Sequence, residues 1–140
     1  MYATVLIVNE EPQVLESLST SLGALGFQVV IAAGGQAALR YIHQNEFDVV
    51  VLDLHMRDTD PVGLLRQIKS LQPLTEVIFM TAHGGIAAAA TGMRLGAFDY
   101  VLTSEAETEL PYKILMGKTR KTQQEDKIKL VEKSLSGATS

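Results

Sequence analysis

Val49-Val50-Val51-Leu52 places four apolar residues, three of them β-branched, directly before a single carboxylate, Asp53. No polar residue alternates through the run, so it suits a strand buried on both faces. Such strands belong to parallel sheets covered by helices on either side. Thr4 to Val8 repeats the pattern, and Phe27 to Ala32, Glu76 to Met80 and Phe98 to Leu102 predict three further strands.

The stretches between these runs have helical spacing. Pro12 suits a first helical turn, followed by Leu15, Leu18, Leu22 and Leu25 and stopped by Gly26. Gln36 to Gln44 predicts a helix burying Ala38, Leu39 and Ile42. Asp60 and Pro61 form an N-cap and N1 pair ahead of Leu64, Leu65, Ile68 and Leu71. Ile86 to Leu95 is an alanine-rich helix ended by Gly96. The last helix is expected to begin near Thr108, with Pro111 in its first turn and Leu110, Ile114 and Leu115 on the sheet. Five strands alternating with five helices predict an α/β fold, a parallel sheet with right-handed crossovers and helices on both faces.

The 140 residues allow one domain and a short extension. With no cysteine there is no disulfide framework and no thiolate metal site. No apolar run is long enough to span a bilayer, and a cytoplasmic location is expected. Residues 1–112 carry 13 acidic and 5 basic side chains, a net of −8, whereas residues 113–140 carry 7 basic and 3 acidic ones, a net of +4. An acidic body repels nucleic-acid phosphate. The basic tail has Glu125, Asp126 and Glu132 interspersed, the pattern of a solvated helix face. Ile128, Val131 and Leu135 recur there at i, i+3 and i+7, too few positions to establish a coiled coil.

In a doubly wound sheet, ligands gather at the carboxyl ends of the strands. Those ends carry Asn9-Glu10-Glu11, Asp53, Thr81 and Thr103-Ser104. Carboxylates held together call for a cation or a raised pKa, and an oxygen-rich, cysteine-free site suits Mg²⁺. A carboxylate beside such an ion can act as a nucleophile toward a phosphoryl group. The plain alternative is that Glu10 and Glu11 favour a helix start and Asp53 caps a loop.

Val8-Asn9-Glu10-Glu11-Pro12, Leu52-Asp53-Leu54-His55-Met56, Met80-Thr81-Ala82-His83-Gly84 and Gly96-Ala97-Phe98-Asp99-Tyr100 occur in that order. Together they resemble the successive signatures of bacterial response-regulator receiver domains, over about residues 3–118. The resemblance implies a flavodoxin-like, CheY-like three-layer fold with strand order 2-1-3-4-5, a receiver domain over 1–118, and a helical extension or linker over 119–140. It implies Asp53 as phosphoacceptor from a histidine kinase or phosphotransfer protein. Thr81 would be the switch hydroxyl and Tyr100 the switch aromatic. Mg²⁺ would be held by Glu10, Asp53 and the backbone carbonyl of His55, with Asn9 an additional candidate. The switched surface would be helix four, strand five and helix five, open to a partner or a second copy, with no membrane and no direct nucleic-acid contact by this domain.

The chain departs from the family pattern in three places. Asn9 and Glu10 stand where two aspartates are usual, which weakens a site for an ion as geometrically demanding as Mg²⁺. Thr103 and Ser104 replace a lysine and proline, so the phosphorylated state loses a charge-assisted bond. Arg57 and Pro61 stand where proline and glycine are common; an exposed loop is the simplest setting for Arg57. His55 and His83 are expected beside the pocket, where with Asp53 they form a minor candidate for a transition-metal site, and His43 is expected on a helix surface. Two other functions remain: a phosphorylation-independent pseudo-receiver and, ranked last, a small Mg²⁺-dependent phosphatase. At most slow self-phosphorylation and self-dephosphorylation is expected of a receiver.

Overall fold

The computed structural model describes residues 2–82 and 85–139. The chain alternates β1 (Thr4–Val8), α1 (Pro12–Ala24), β2 (Gln28–Ala32), α2 (Gly35–Gln44), β3 (Val49–Asp53), α3 (Pro61–Leu71), β4 (Glu76–Thr81), α4 (Ile86–Arg94), β5 (Asp99–Leu102) and α5 (Ala106–Thr139), with a 3₁₀ turn at Thr103–Glu105. The sheet is parallel, in the order β2-β1-β3-β4-β5. Every residue of β3 and β4 is buried, while β2 and β5, at the edges, are partly exposed.

Side chains alternate across the pleat and feed two cores. On one face Val5, Ile7, Val49, Val51 and Ile78 pack with Leu15, Leu18 and Leu22 of α1 and with Leu110 and Ile114 of α5. On the other, Leu6, Val50, Leu52 and Phe79 pack with Ile42 of α2 and with Leu64, Leu65 and Ile68 of α3.

Three packing expectations are corrected. Leu25 is 51% exposed because α1 ends at Ala24 and the chain turns through Gly26 at φ +97°. Leu115 is 40% exposed, because the buried face of α5 runs through Leu110, Ile114, Gly117 and Lys121. Pro111 sits inside α5 rather than in its first turn: the helix opens at Ala106, directly after the 3₁₀ turn, and no N–H is available there for the preceding turn.

The basic stretch is also only partly solvated. Lys121 is buried, with Nζ 3.2 Å from Asp48 Oδ1 and 3.3 Å from Glu46 Oε1. Lys118 reaches Asp48 Oδ2 at 3.1 Å, and Arg120 Nε lies 3.3 Å from Glu76 Oε2, a buried oxygen that accepts no hydrogen bond among the described residues. Asp48 and Glu76 stand at the amino ends of β3 and β4. Cations of α5 therefore neutralise the acids at the base of the sheet, which a solvated face would not do. α5 runs unbroken through residues 118 and 119 to Thr139.

Candidate functional site

The loop after β1 and the last residue of β3 bring three carboxylates, Glu10, Glu11 and Asp53, to the opposite, carboxyl edge of the sheet. Asn9 is buried, and its Oδ1 accepts the Glu11 N–H at 2.8 Å, tightening the turn into α1. Glu11 is the extended N-cap residue of α1, and Pro12 follows it. Glu10 Oε1 accepts the backbone N–H of Arg57 at 2.7 Å, which ties the loop after β1 to the loop after β3.

Asp53 is the last residue of β3, opposite Met80 in the register with β4, and only 9% exposed. Its Oδ1 accepts the His55 N–H at 3.2 Å. Burial drives its carboxyl above the ordinary aspartate value; the His55 N–H and the His55 ring oppose this, and the charges of Glu11 and Glu10 reinforce it. Among the described residues none of these three carboxylates enters an ion pair. A concentration of unneutralised oxygen donors suits a hard dication that keeps several waters and takes one or two carboxylates. Glu10 and Asp53 supply oxygens of that kind. No group of three or more His, Cys, Asp or Glu side chains is arranged around a metal position among the described residues. His83 lies outside the described residues.

Thr81 ends β4 and is fully buried. Its hydroxyl donates to the Ala82 carbonyl at 3.0 Å and lies 3.3 Å from His55 Nε2. Tyr100 is half-buried on β5. Lys113 of α5 binds its carbonyl oxygen at 2.8 Å, pairs with Asp99 at 3.0 Å, and sits 5.8 Å from the ring centroid. Thr103 is exposed and opens the 3₁₀ turn. With Leu18, Met80 and Ala106 it lines a cavity of about 300 Å³. Arg57 and His43 are exposed, as expected.

The edge thus gathers Glu10, Asp53, His55 and Thr81. Sequence reasoning missed Gly85, which packs against both Thr81 and His55, and Lys113, which fixes Tyr100 from outside the sheet. Neither residue carries a local signal, since each acts across a loop or between elements.

A doubly wound parallel sheet with carboxylates at its carboxyl edge belongs to the class of α/β domains that bind their ligands at that edge. The chain belongs to the response regulator receiver domain family, whose model matches residues 5–115. It is 38% identical over 110 residues to the probable transcriptional regulator ycf27 of Guillardia theta, covering 79% of this chain and 43% of that protein. It is 37% identical over 98 residues to the regulatory protein AtoC of Escherichia coli, covering 70% of this chain and 21% of that one. The chain therefore spans less than half the length of these curated relatives. A receiver domain protein from Clostridium thermocellum superposes with a TM-score of 0.83 at 29% identity, covering 87% of this chain and 98% of that one.

Membership makes this a receiver domain of two-component signalling, a class that accepts phosphoryl groups and generally binds Mg²⁺ where it does so. Receiver domains are signalling modules rather than typical enzymes. No helix among the described residues is long and apolar enough to cross a membrane.

Proposed function

We propose that this domain takes a phosphoryl group onto Asp53 from a histidine kinase or phosphotransfer protein and alters an interaction surface in response. The observation that carries the reading is the buried Asp53 carboxylate, set among Glu10 and Glu11 and with no ion pair among the described residues. In the transfer, an Asp53 oxygen attacks phosphorus, the P–N bond of the phosphohistidine breaks, and its electron pair leaves on the imidazole. Glu10, Asp53 and the His55 carbonyl would hold Mg²⁺; Asn9 Oδ1, which keeps a second lone pair beside the Glu11 N–H, is an additional candidate. When bound, the ion supplies positive charge that offsets the carboxylates and the incoming phosphate.

Thr81 is the hydroxyl that turns toward the phosphoryl group, and Tyr100 is the aromatic that follows it. The surface that changes is α4, β5 and α5, for a cytoplasmic partner or a second copy. Exposed Met93, Tyr112, Leu115 and Met116 on those helices support this reading. Thr103 brings a hydroxyl without charge, so phosphorylation is more weakly supported than a lysine would make it. That same residue favours the second reading, an interaction module of the same fold that works unphosphorylated.

Intact mass after incubation with acetyl phosphate and Mg²⁺, beside Asp53→Asn, separates the two. A phosphoryl adduct on the wild type alone is expected. No adduct, from acetyl phosphate or from a phosphohistidine donor, would leave the unphosphorylated module.

A further inference from the structure

The Thr81 hydroxyl is held by two residues outside its own strand, and both bear on whether it can turn. It reaches the Ala82 carbonyl oxygen at 3.0 Å and His55 Nε2 at 3.3 Å, the latter contact taking its direction from the imidazole tautomer. Asp53 is not among its partners. Gly85 flanks the same contact. Its backbone, at φ −97° and ψ 5°, is open to any residue, so the glycine is not there for conformational freedom. What it supplies is space. A Cβ built on Gly85 would coincide with Thr81 Oγ1 and would lie 3.3 Å from His55 Nε2.

We propose that His55 and Gly85 form a latch that keeps the Thr81 hydroxyl in this resting position, off Asp53. Gly85 leaves the gap the hydroxyl occupies, and the His55 ring holds it there from the loop after β3. Rotation of Thr81 toward Asp53 then breaks the His55 contact and vacates the gap. The proposal rests on the reading of Thr81 as the hydroxyl that engages a phosphoryl group; His55 and Gly85 are positioning residues that act through it. It gives the side chain of His55 a task separate from its backbone carbonyl. One net hydrogen bond biases the two positions of Thr81 by about fivefold.

The test reads the γ-methyl carbon shift of Thr81, which reports its χ1 well, in the full chain without any phosphoryl donor. Wild type, His55→Ala, His55→Gln and Gly85→Ala are compared against the shift ranges of the three staggered wells and against wild type incubated with acetyl phosphate and Mg²⁺. His55→Ala is expected to shift the rotamer ratio about fivefold away from the resting well. His55→Gln, which keeps an N–H donor of similar reach, should move it less, and Gly85→Ala should empty the resting well. A Thr81 signal that stays in the resting well in His55→Ala overturns the latch, and this variant decides alone if Gly85→Ala does not fold. If wild type acquires no phosphoryl group, the proposed function fails, while the rotamer ratios of the variants still decide the latch.

Discussion

Lys121 Nζ, on the C-terminal helix, lies 3.2 Å from Asp48 Oδ1 at the foot of β3, with 5% and 8% of the two residues exposed. Burial by itself would push the Asp48 carboxyl up and the Lys121 ammonium down. The Thr4 N–H, Lys118 and Lys121 reverse this for Asp48 and hold it below the usual range, while Asp48 and Glu46 hold Lys121 above its usual value.

Lys121→Met keeps the apolar stem and removes the charge. The expected loss at neutral pH is about 3 kcal/mol, the low end for stripping one partner from a buried pair, because Lys118 and Thr4 still serve Asp48. The Asp48 contribution is present above about pH 3.9 and disappears as pH falls through its lowered folded value. The Lys121 contribution is present below about pH 10.4 and disappears as pH rises through its raised one. Urea unfolding of both proteins across pH measures this, and equal midpoints at pH 7 would contradict it.

Asp53→Asn should stabilise the protein. The folded state raises the Asp53 carboxyl, so ionising it costs the folded chain more than the unfolded one. Wild type therefore loses stability relative to the variant as pH rises from about 3.9 through the raised folded value. Thermal unfolding should give the variant a Tm higher by a few degrees at pH 7 and no difference well below pH 3.9. An advantage that persists in acid would assign the effect to something other than this carboxylate.

Thr103→Lys places a cation just after β5, at the carboxyl edge of the sheet, where among the described residues Glu10, Glu11 and Asp53 enter no ion pair. A charge-assisted bond is roughly twice as strong as a neutral one. The rate of labelling by acetyl phosphate should rise severalfold, scored by intact mass over time. An unchanged rate would trace the limit to Asn9 and Glu10 instead.

Two glycines in helices give opposite expectations. A Cβ on Gly92 of α4 would coincide with the buried ring of Phe79, so Gly92→Ala should cost about 2 kcal/mol by overpacking. Gly23 of α1 has nothing within 4 Å of its Cβ position, and Gly23→Ala should gain about 0.5–1 kcal/mol from helix propensity. Denaturant midpoints of the pair check both signs.

The sheet was legible because its central strands are uninterrupted apolar runs: Val49 to Leu52 must be buried on both faces, and Asp53 must then fall at an edge. Asp60 was legible too, as an N-cap, and its side chain accepts the Val62 N–H at 3.2 Å. Lys121 was not. A lysine amid mixed charges has the local pattern of a solvated face, and only the tertiary arrangement of Asp48 and Glu46 makes its burial favourable. The contact of His55 with Thr81 joins residues 26 positions apart through two loops, so no periodicity could reveal it. Pro111 was misplaced for a simpler reason: the 3₁₀ turn at Thr103–Glu105 starts the helical path earlier than the apolar pattern does.

Because α5 passes Lys121 without a break, the last docked residue is also a fulcrum. The helix beyond it, through Thr139, reaches about 27 Å at 1.5 Å per residue. A tilt of about 10° about that point would carry the tip through about 5 Å. The far end of α5 is thus a pointer, displaying on a larger scale any reorientation of the helix against the strands that hold it.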